Sequence, residues 1–214
     1  MNNIGNNLYV FGGTNGYDYY REILKFDLVT RVWEKVIVAS TGGCAPQPMY
    51  KHACVTHFSA GSHKLLILGG LNQAVYSTIH EFDLSAKRWT EIKAQNLKVL
   101  DSRFAHTACL SPDRGSVFIF GGSGTSKFDD IIKYDMSQKC FFQMKIQDDD
   151  KTPTARDFSA SFIVNETHAF DADCLTGNFC VIGGSDKNGR INDIHSFVLP
   201  LATPSDKYGV DHVV

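Results

Sequence analysis

Four short apolar runs in this chain each end in a pair of glycines. They read NLYVFGG (residues 7–13), KLLILGG (64–70), SVFIFGG (116–122) and NFCVIGG (178–184). The glycine pairs are Gly12 and Gly13, Gly69 and Gly70, Gly121 and Gly122, and Gly183 and Gly184. The second glycines are 57, 52 and 62 residues apart. Self-similarity at such a period indicates a repeat architecture, so these runs decide the fold.

Other features recur at constant distances from the glycine pairs. An aromatic residue followed by aspartate appears at Phe26–Asp27, Phe82–Asp83 and Tyr134–Asp135. Six residues after each aspartate comes a large aromatic side chain: Trp33, Trp89 and Phe141. A further segment precedes each later pair: PMYKHACVTHF (48–58), SRFAHTACL (102–110) and ARDFSASFIV (155–164). All are short and rich in aromatic and β-branched residues, which favours four strands per repeat over helices.

These residues resemble the kelch-repeat β-propeller family. The resemblance rests on the glycine pair, the aromatic–Asp step, the large aromatic six residues later and the Arg-x-x-His pattern of Arg103 and His106. It covers residues 4 to 199, with departures at three places: Met49 replaces Arg, Ser159 replaces His, and Phe197–Val198 replaces aromatic–Asp. It implies an all-β fold of four-stranded antiparallel blades.

The repeats are centred near residues 7–38, 48–93, 102–146 and 155–199, followed by a C-terminal tail at 201–214. With the strands of a blade named A to D, the chain is expected to open on a B strand at residues 8–11. The first blade would then lack strand A and the last would lack strand D. This predicts 14 strands in an incomplete ring of about 3.5–4 blades, a piece of a larger, six-bladed ring. Assembly with a second chain is the alternative.

The repeated residues have structural roles that follow from their chemistry. A glycine pair at a strand end permits a sharp turn and a close approach of neighbouring chain. Trp33, Trp89 and Phe141 are predicted to be buried between blades, because aromatic side chains contribute the largest apolar areas.

Composition excludes several classes of protein. The chain has 214 residues, 43% of them hydrophobic, and a net charge of −2, which is typical of a globular protein without a strong field for nucleic acid or anionic membranes. No apolar run reaches the roughly 20 residues of a membrane-spanning helix, and no secretory signal is visible, so a cytoplasmic location is expected. The six cysteines form no Cys-x-x-Cys pair and are predicted to be reduced; Cys174 and Cys180 could pair in an oxidising compartment.

The loops between strands B and C differ in sequence while the strands repeat, as expected for a recognition surface on a scaffold. Tyr and Arg are favoured at protein-binding hot spots. The candidate partner-binding residues are therefore Tyr17, Tyr19, Tyr20, Tyr76, Phe128 and Arg190. The alternative is that some of these tyrosines begin strand C and pack against neighbouring loops.

Two arginines, Arg103 and Arg156, stand at the start of innermost strands, near the mouth of the central channel. A guanidinium there could bind a carboxylate or a C-terminal peptide. The alternative is an inter-blade salt bridge or a contact with a backbone carbonyl.

The acidic run at 148–150 is interpreted as a solvated turn. The insertion at 165–178 contains Glu166, His168, Asp171 and Asp173, but loop composition alone produces such clusters, so no metal site is predicted.

The function expected from these residues is a non-catalytic protein–protein interaction scaffold without a cofactor. The resemblance implies substrate recognition for a cullin–RING ubiquitin ligase, small-GTPase effector binding or cytoskeletal scaffolding. The alternative is a small-molecule enzyme that uses the central channel, as in kelch-like oxidases, epimerases and specifier proteins. No hydrolase, zinc-protease, P-loop or dinucleotide motif is present in the sequence.

Overall fold

The chain forms a β-propeller with four blades, as the repeats predict. The computed structural model describes residues 1–39, 44–144, 152–165 and 176–200. Each blade is an antiparallel sheet whose strands lie in chain order, and the described residues supply four strands to three of the sheets and three to the last. The innermost strands of consecutive blades are neighbours, so the blades follow one another around a common axis.

Most of the strands are short, as the broken apolar pattern indicates, and the longest are the last two. Blade 1 contains β1 (Asn2–Ile4), β2 (Asn7–Thr14), β3 (Tyr19–Asp27) and β4 (Trp33–Lys35). Blade 2 contains β5 (Ala53–Ser59), β6 (Ser62–Leu71), β7 (Val75–Asp83) and β8 (Arg88–Glu91). Blade 3 contains β9 (Thr107–Leu110), β10 (Ser116–Phe120), β11 (Ile131–Asp135) and β12 (Cys140–Met144). Blade 4 contains β13 (Ala160–Asn165), β14 (Thr176–Asp186) and β15 (Gly189–Pro200).

The first blade is complete, which corrects the expectation that the chain opens on a B strand. Strand β1 pairs with β2, with Asn2 opposite Tyr9 and Ile4 opposite Asn7. The described residues therefore hold 15 strands, not 14. A three-residue strand with one apolar side chain has no alternation for a sequence pattern to detect. The predicted absence of a D strand from the last blade concerns residues 201–214, which lie outside the described residues.

One short helix interrupts the all-β pattern. Helix α1 (Leu97–Leu100) forms a single turn between blades 2 and 3, and its Leu100 side chain is fully buried. The described part of the chain includes no helix with the length and apolar character needed to cross a membrane.

The glycine pairs let consecutive blades approach closely. Gly121 has a φ of +64°, and a Cβ at this position would lie 2.6 Å from the backbone oxygen of Arg156, which leads into the next blade. Gly122 then donates its N–H to that same oxygen, at 2.8 Å. Only glycine combines this left-handed backbone with so close a contact, because any other residue adds a Cβ.

The core of the propeller lies between the blades. Between blades 1 and 2, Phe11 and Ile23 pack against a cluster that includes Leu65 and Trp89. Further clusters fill the spaces between blades 2 and 3 and between blades 3 and 4. Trp89 is 3% exposed and Phe141 is completely buried, as predicted for this repeat position. Burial of these aromatic side chains holds adjacent blades together.

In blade 1, the prediction that Trp33 is buried between blades is wrong. Its ring packs on Phe26, with 4.9 Å between centroids, but 52% of the residue is exposed. The equivalent pair in blade 2, Phe82 and Trp89, has the same spacing and is covered by blade 1. Trp33 occupies the face of blade 1 that points away from blade 2. Its repeat position is the predicted one, but its burial requires a blade on that side.

The described cysteines carry free thiols: Cys44, Cys54, Cys109, Cys140 and Cys180. Burial raises the pKa of Cys54 and of Cys109 to about 12. These two thiols therefore stay protonated and behave as small apolar groups. Cys174 lies outside the described residues.

Candidate partner-binding surface

The loops that differ between repeats lie at one end of the propeller. Because the strands of a blade alternate in direction, its B–C loop shares an end with the segment that leads into the next blade. We call this end the upper face. It carries the B–C loops 15–18, 72–74, 121–130 and 187–188, together with the segments that precede β5, β9 and β13.

Tyr17 stands on a hydrogen-bonded turn of the upper face. The side-chain oxygen Oδ1 of Asn15 accepts hydrogen bonds from the backbone N–H groups of Tyr17 and Asp18, at 2.9 and 2.7 Å. The Thr14 hydroxyl donates to the Asp18 carbonyl, at 2.7 Å. This network holds the loop, while the Tyr17 residue is 93% exposed. The turn therefore presents an aromatic ring to solvent at little cost in ordering upon binding.

Tyr19 and Tyr20 are the first two residues of β3, and both are partly exposed, at 37% and 39%. The Tyr19 ring stacks on Tyr50 of blade 2, with 5.5 Å between centroids. The Tyr20 carbonyl accepts a hydrogen bond from the N–H of Met49, at 3.0 Å. These two tyrosines therefore contact the chain that enters the second blade as well as solvent.

Tyr76 and Phe128 are half-buried and contribute to the joints between blades. The Tyr76 hydroxyl donates to Asn72 at 2.9 Å, and its carbonyl accepts from the N–H of Arg103. The Phe128 ring lies 4.2 Å from the Arg103 guanidinium carbon, and its carbonyl accepts from the N–H of Arg156. Arg190, in contrast, is exposed near the start of β15, next to the B–C turn of blade 4. The predicted partner-binding residues thus include both exposed side chains and structural contacts.

Arg103 is buried, and each nitrogen of its guanidinium donates a hydrogen bond. Its guanidinium donates to both carboxylate oxygens of Asp130, at 2.7 and 2.9 Å, and to the Gly121 carbonyl, at 3.1 Å. Its Nε also donates to the carbonyl of Leu100. The residue is 0% exposed. Arg103 therefore fastens the start of β9 to the start of strand β11 and offers no exposed surface to a ligand.

Arg156 repeats this arrangement in blade 4. It donates to the Asp193 carboxylate and, at 3.1 Å, to the Gly183 carbonyl, and it is 0% exposed. The hydrogen bond from Arg156 lowers the pKa of Asp193 to about 2, with a smaller contribution from His195. Asp193 is consequently ionised over the physiological range, and the pair stays charged.

A second aromatic group lies on the upper face, where four residues that the sequence pattern did not single out meet the predicted Tyr19. The Lys51 Nζ lies 5.0, 5.3 and 5.0 Å from the ring centroids of Tyr50, Phe104 and Phe158. With Tyr19 stacked on Tyr50, we call these five residues the mouth cluster. They come from four blades and meet where the innermost strands begin. A sequence signal for the three aromatic residues did exist, because each follows the repeat position held by Met49, Arg103 or Arg156. Tyr50 and Phe104 follow it by one residue, and Phe158 follows it by two.

Comparison with known proteins assigns the fold to a family. The sequence model of the Attractin/LZTR1 beta-propeller matches residues 1–195. This chain belongs to the Attractin/LZTR1 β-propeller family. The match covers all four blades, and it agrees with the kelch-type repeat predicted from the glycine pairs.

Curated relatives of this Attractin/LZTR1 β-propeller include proteins named for their kelch domain. Kelch domain-containing protein 10 of Rattus norvegicus is 32% identical over 139 residues, which are 62% of this chain and 33% of the relative. The Homo sapiens protein of the same name is 32% identical over 139 residues, 30% of its length. The leucine-zipper-like transcriptional regulator 1 homolog of Drosophila melanogaster is 26% identical over 122 residues, 54% of this chain and 12% of the relative. The chain thus spans about a third of the length of the kelch domain-containing relatives it matches.

Within the described residues, this family member has no group of three His, Cys, Asp or Glu side chains arranged to hold a metal ion. Glu166, His168, Asp171 and Asp173, considered as ligands above, lie outside the described residues, as does the acidic run at 148–150. The groove of about 750 Å³ between blades 2 and 3 contains an ion-paired network instead. There, Glu81 accepts hydrogen bonds from His57, at 3.0 Å, and from Lys64, at 2.9 Å.

Proposed function

We propose that this chain is a non-catalytic protein-interaction module that binds a protein partner through its upper face. The observation that carries the proposal is the display of Tyr17, 93% exposed on a turn held by Asn15 and Thr14. A rigid, exposed aromatic side chain on a loop is typical of protein-recognition surfaces, because it buries a large area while losing little conformational entropy.

The upper face has the composition of a recognition surface. It presents Tyr19 and Tyr20 from blade 1 and Phe158 and Arg190 from blade 4, next to polar loop residues. Such a mixture of aromatic anchors and a polar rim resembles protein–protein interfaces. The kelch relatives support an adaptor role of this kind, in which the propeller recruits one protein to another.

In this proposal, the titratable side chains at the start of the innermost strands have structural roles. Their environment argues against the enzyme alternative. All three guanidinium nitrogens of Arg103 donate to Asp130 or to backbone carbonyls. Burial lowers the pKa of His106 to about 3, with a smaller contribution from the charge of Arg103. A catalytic group must reach a substrate at the right protonation state, and neither side chain meets that requirement.

We also infer that the module acts in a reducing compartment such as the cytoplasm. The five described cysteines carry free thiols, and two of them have pKa values raised to about 12 by burial. Thiol labelling of the protein in cell extracts, followed by mass spectrometry, tests this inference. Labelling of all five under denaturing, non-reducing conditions is expected, and a disulfide at any of them contradicts it.

Affinity capture with two matched variants tests the proposed binding face. The first combines Tyr17→Ala, Tyr19→Ala and Arg190→Ala, which are all exposed on the upper face. The control combines Phe58→Ala, Lys87→Ala and Arg114→Ala, which are exposed at the opposite end of the blades. Partners retained by the wild-type protein are expected to fall at least ~10-fold with the first variant and to persist with the control, since hot-spot residues dominate binding. Equal retention by both variants refutes the proposed face.

A further inference from the structure

The mouth cluster contains two side chains held in an uncommon backbone conformation. Lys51 and Phe158 have φ values of +55° and +56°, and Ala105 at the equivalent position has +53°. This left-handed region costs a non-glycine residue on the order of 1–2 kcal/mol. Glycine or asparagine would avoid much of that cost, so the large side chains at these two positions are not explained by backbone preference.

Backbone hydrogen bonds fix the three positions relative to one another. The N–H of Ala105 donates to the Lys51 carbonyl at 2.7 Å, and the N–H of Phe158 donates to the Ala105 carbonyl at 2.8 Å. The chain of bonds runs from blade 2 to blade 4 around the axis. The backbone at Lys51 and Phe158 is therefore fixed by the propeller itself, which reduces the ordering that binding requires.

The positive charge of Lys51 has no carboxylate partner among the described residues. Its ammonium contacts the three rings instead, with Nζ at 5.0–5.3 Å from their centroids. The nearby Asp157 already accepts from Lys127, at 2.8 Å, and from Ser123, at 2.7 Å. The negative faces of the rings stabilise the ammonium but carry no net charge, so this half-buried group keeps its full positive charge and attracts an anion.

We propose that the mouth cluster binds an acidic side chain of the protein partner, with an apolar or aromatic residue next to it. The partner's aspartate or glutamate forms an ion pair with Lys51. Its apolar neighbour packs on Phe158, which is 58% exposed, and on Tyr19, which is 37% exposed. This inference rests on the proposed function of the upper face and adds the chemistry of the ligand.

A peptide selection tests the inference with random peptides in place of the partner. The 214-residue protein is immobilised and challenged with a phage-displayed library of random 12-residue peptides fused at their C-terminal ends. Enriched peptides are synthesised with amidated C-termini and titrated by fluorescence anisotropy. We expect an enriched Asp or Glu beside an apolar residue, and at least a ~10-fold loss of affinity when that acid is changed to its amide, since interfacial charge pairs contribute this much.

Two substitutions at one position separate binding from stability. Lys51→Asn removes the charge and favours the left-handed backbone, so it is expected to weaken peptide binding at least ~10-fold while the melting temperature stays equal or rises. Lys51→Arg keeps the charge and is expected to retain affinity within ~3-fold. If Lys51 had only a structural role, Lys51→Asn would lower the melting temperature and leave the affinity of stable protein unchanged.

The outcomes distinguish this inference from the proposed function. Peptides that lack acids, or that bind Lys51→Asn as tightly as wild type, yet lose affinity for the Tyr17→Ala variant, overturn the mouth cluster as an acid-binding site and leave the upper face standing. A selection that yields no peptide, or only peptides indifferent to every upper-face substitution, contradicts both.

Discussion

The Arg103 guanidinium donates to both carboxylate oxygens of Asp130, at 2.7 and 2.9 Å, in an interior where Arg103 is fully buried. Blade 4 repeats the pair as Arg156 and Asp193. In blade 2 neither charged residue is present: Met49 occupies the arginine position and Thr78 occupies the aspartate position. The same pair of positions is therefore occupied by an ion pair in blades 3 and 4 and by uncharged residues in blade 2.

This internal comparison predicts the effect of replacing the ion pair. Arg103→Met leaves the Asp130 carboxylate uncompensated and is expected to lower the free energy of unfolding by ~3–5 kcal/mol. Arg103→Met combined with Asp130→Thr reproduces the blade 2 filling and is expected to recover to within about 1–2 kcal/mol of wild type, since an ion pair and its uncharged replacement often have similar stability. Urea denaturation measures both. A double variant no more stable than the single one would show that the pair is not exchangeable.

The glycine pairs allow a test in which backbone strain is held constant. Gly121 and Gly183 have φ values of +64° and +58°, so alanine is strained similarly at both. At Gly121 the added Cβ meets the Arg156 oxygen at 2.6 Å, whereas at Gly183 the closest described contact is the Ile191 oxygen, at 3.2 Å. Gly121→Ala is expected to destabilise the protein by ~1–3 kcal/mol more than Gly183→Ala, by analogy with overpacked cores. Equal thermal shifts would mean that strain alone explains the glycines.

The two tryptophans should respond very differently to truncation. Trp89 is 3% exposed between blades 1 and 2, and Trp89→Ala is expected to cost ~3–5 kcal/mol through lost burial and a cavity. Trp33 is 52% exposed, and Trp33→Ala is expected to cost about 1 kcal/mol, in the range of an ordinary single substitution. Denaturation of the 214-residue protein checks both values. A cost for Trp33→Ala that equals that of Trp89→Ala would show that its outer face is covered in solution.

Acid should destabilise the propeller partly through His106. Burial lowers its pKa to about 3 in the folded protein, while the unfolded value is about 6.5. The unfolded state therefore binds more protons below pH 6.5, and this contribution to stability, complete above that pH, is lost as the pH falls towards the folded pKa. The slope contributed by one such group approaches ~1.4 kcal/mol per pH unit. His106→Gln is expected to flatten the pH dependence of unfolding between about pH 6 and 4 by up to that amount, and an unchanged slope would contradict a neutral His106.

The repeat and its strand pattern could be predicted from the sequence because they depend on local chemistry. A positive φ beside a neighbouring backbone requires glycine, and Gly121 shows why the pair recurs. Large aromatic side chains at a constant offset identify a packing position, as Trp89 and Phe141 confirm. Strand β1 could not be predicted, because three residues with one apolar side chain carry no periodic signal.

The amino-acid sequence by itself determined the kind of unit this chain builds, since each blade follows from residues close together along the chain. Only the tertiary structure decided which side chains are buried between blades and which ones meet. Trp33 and Trp89 occupy the same repeat position, yet the neighbour of each blade makes one exposed and the other buried. Tyr50, Phe104 and Phe158 are each 54 residues apart and meet around Lys51 because the blades turn about one axis. Burial and convergence are properties of the surroundings, which no single repeat contains.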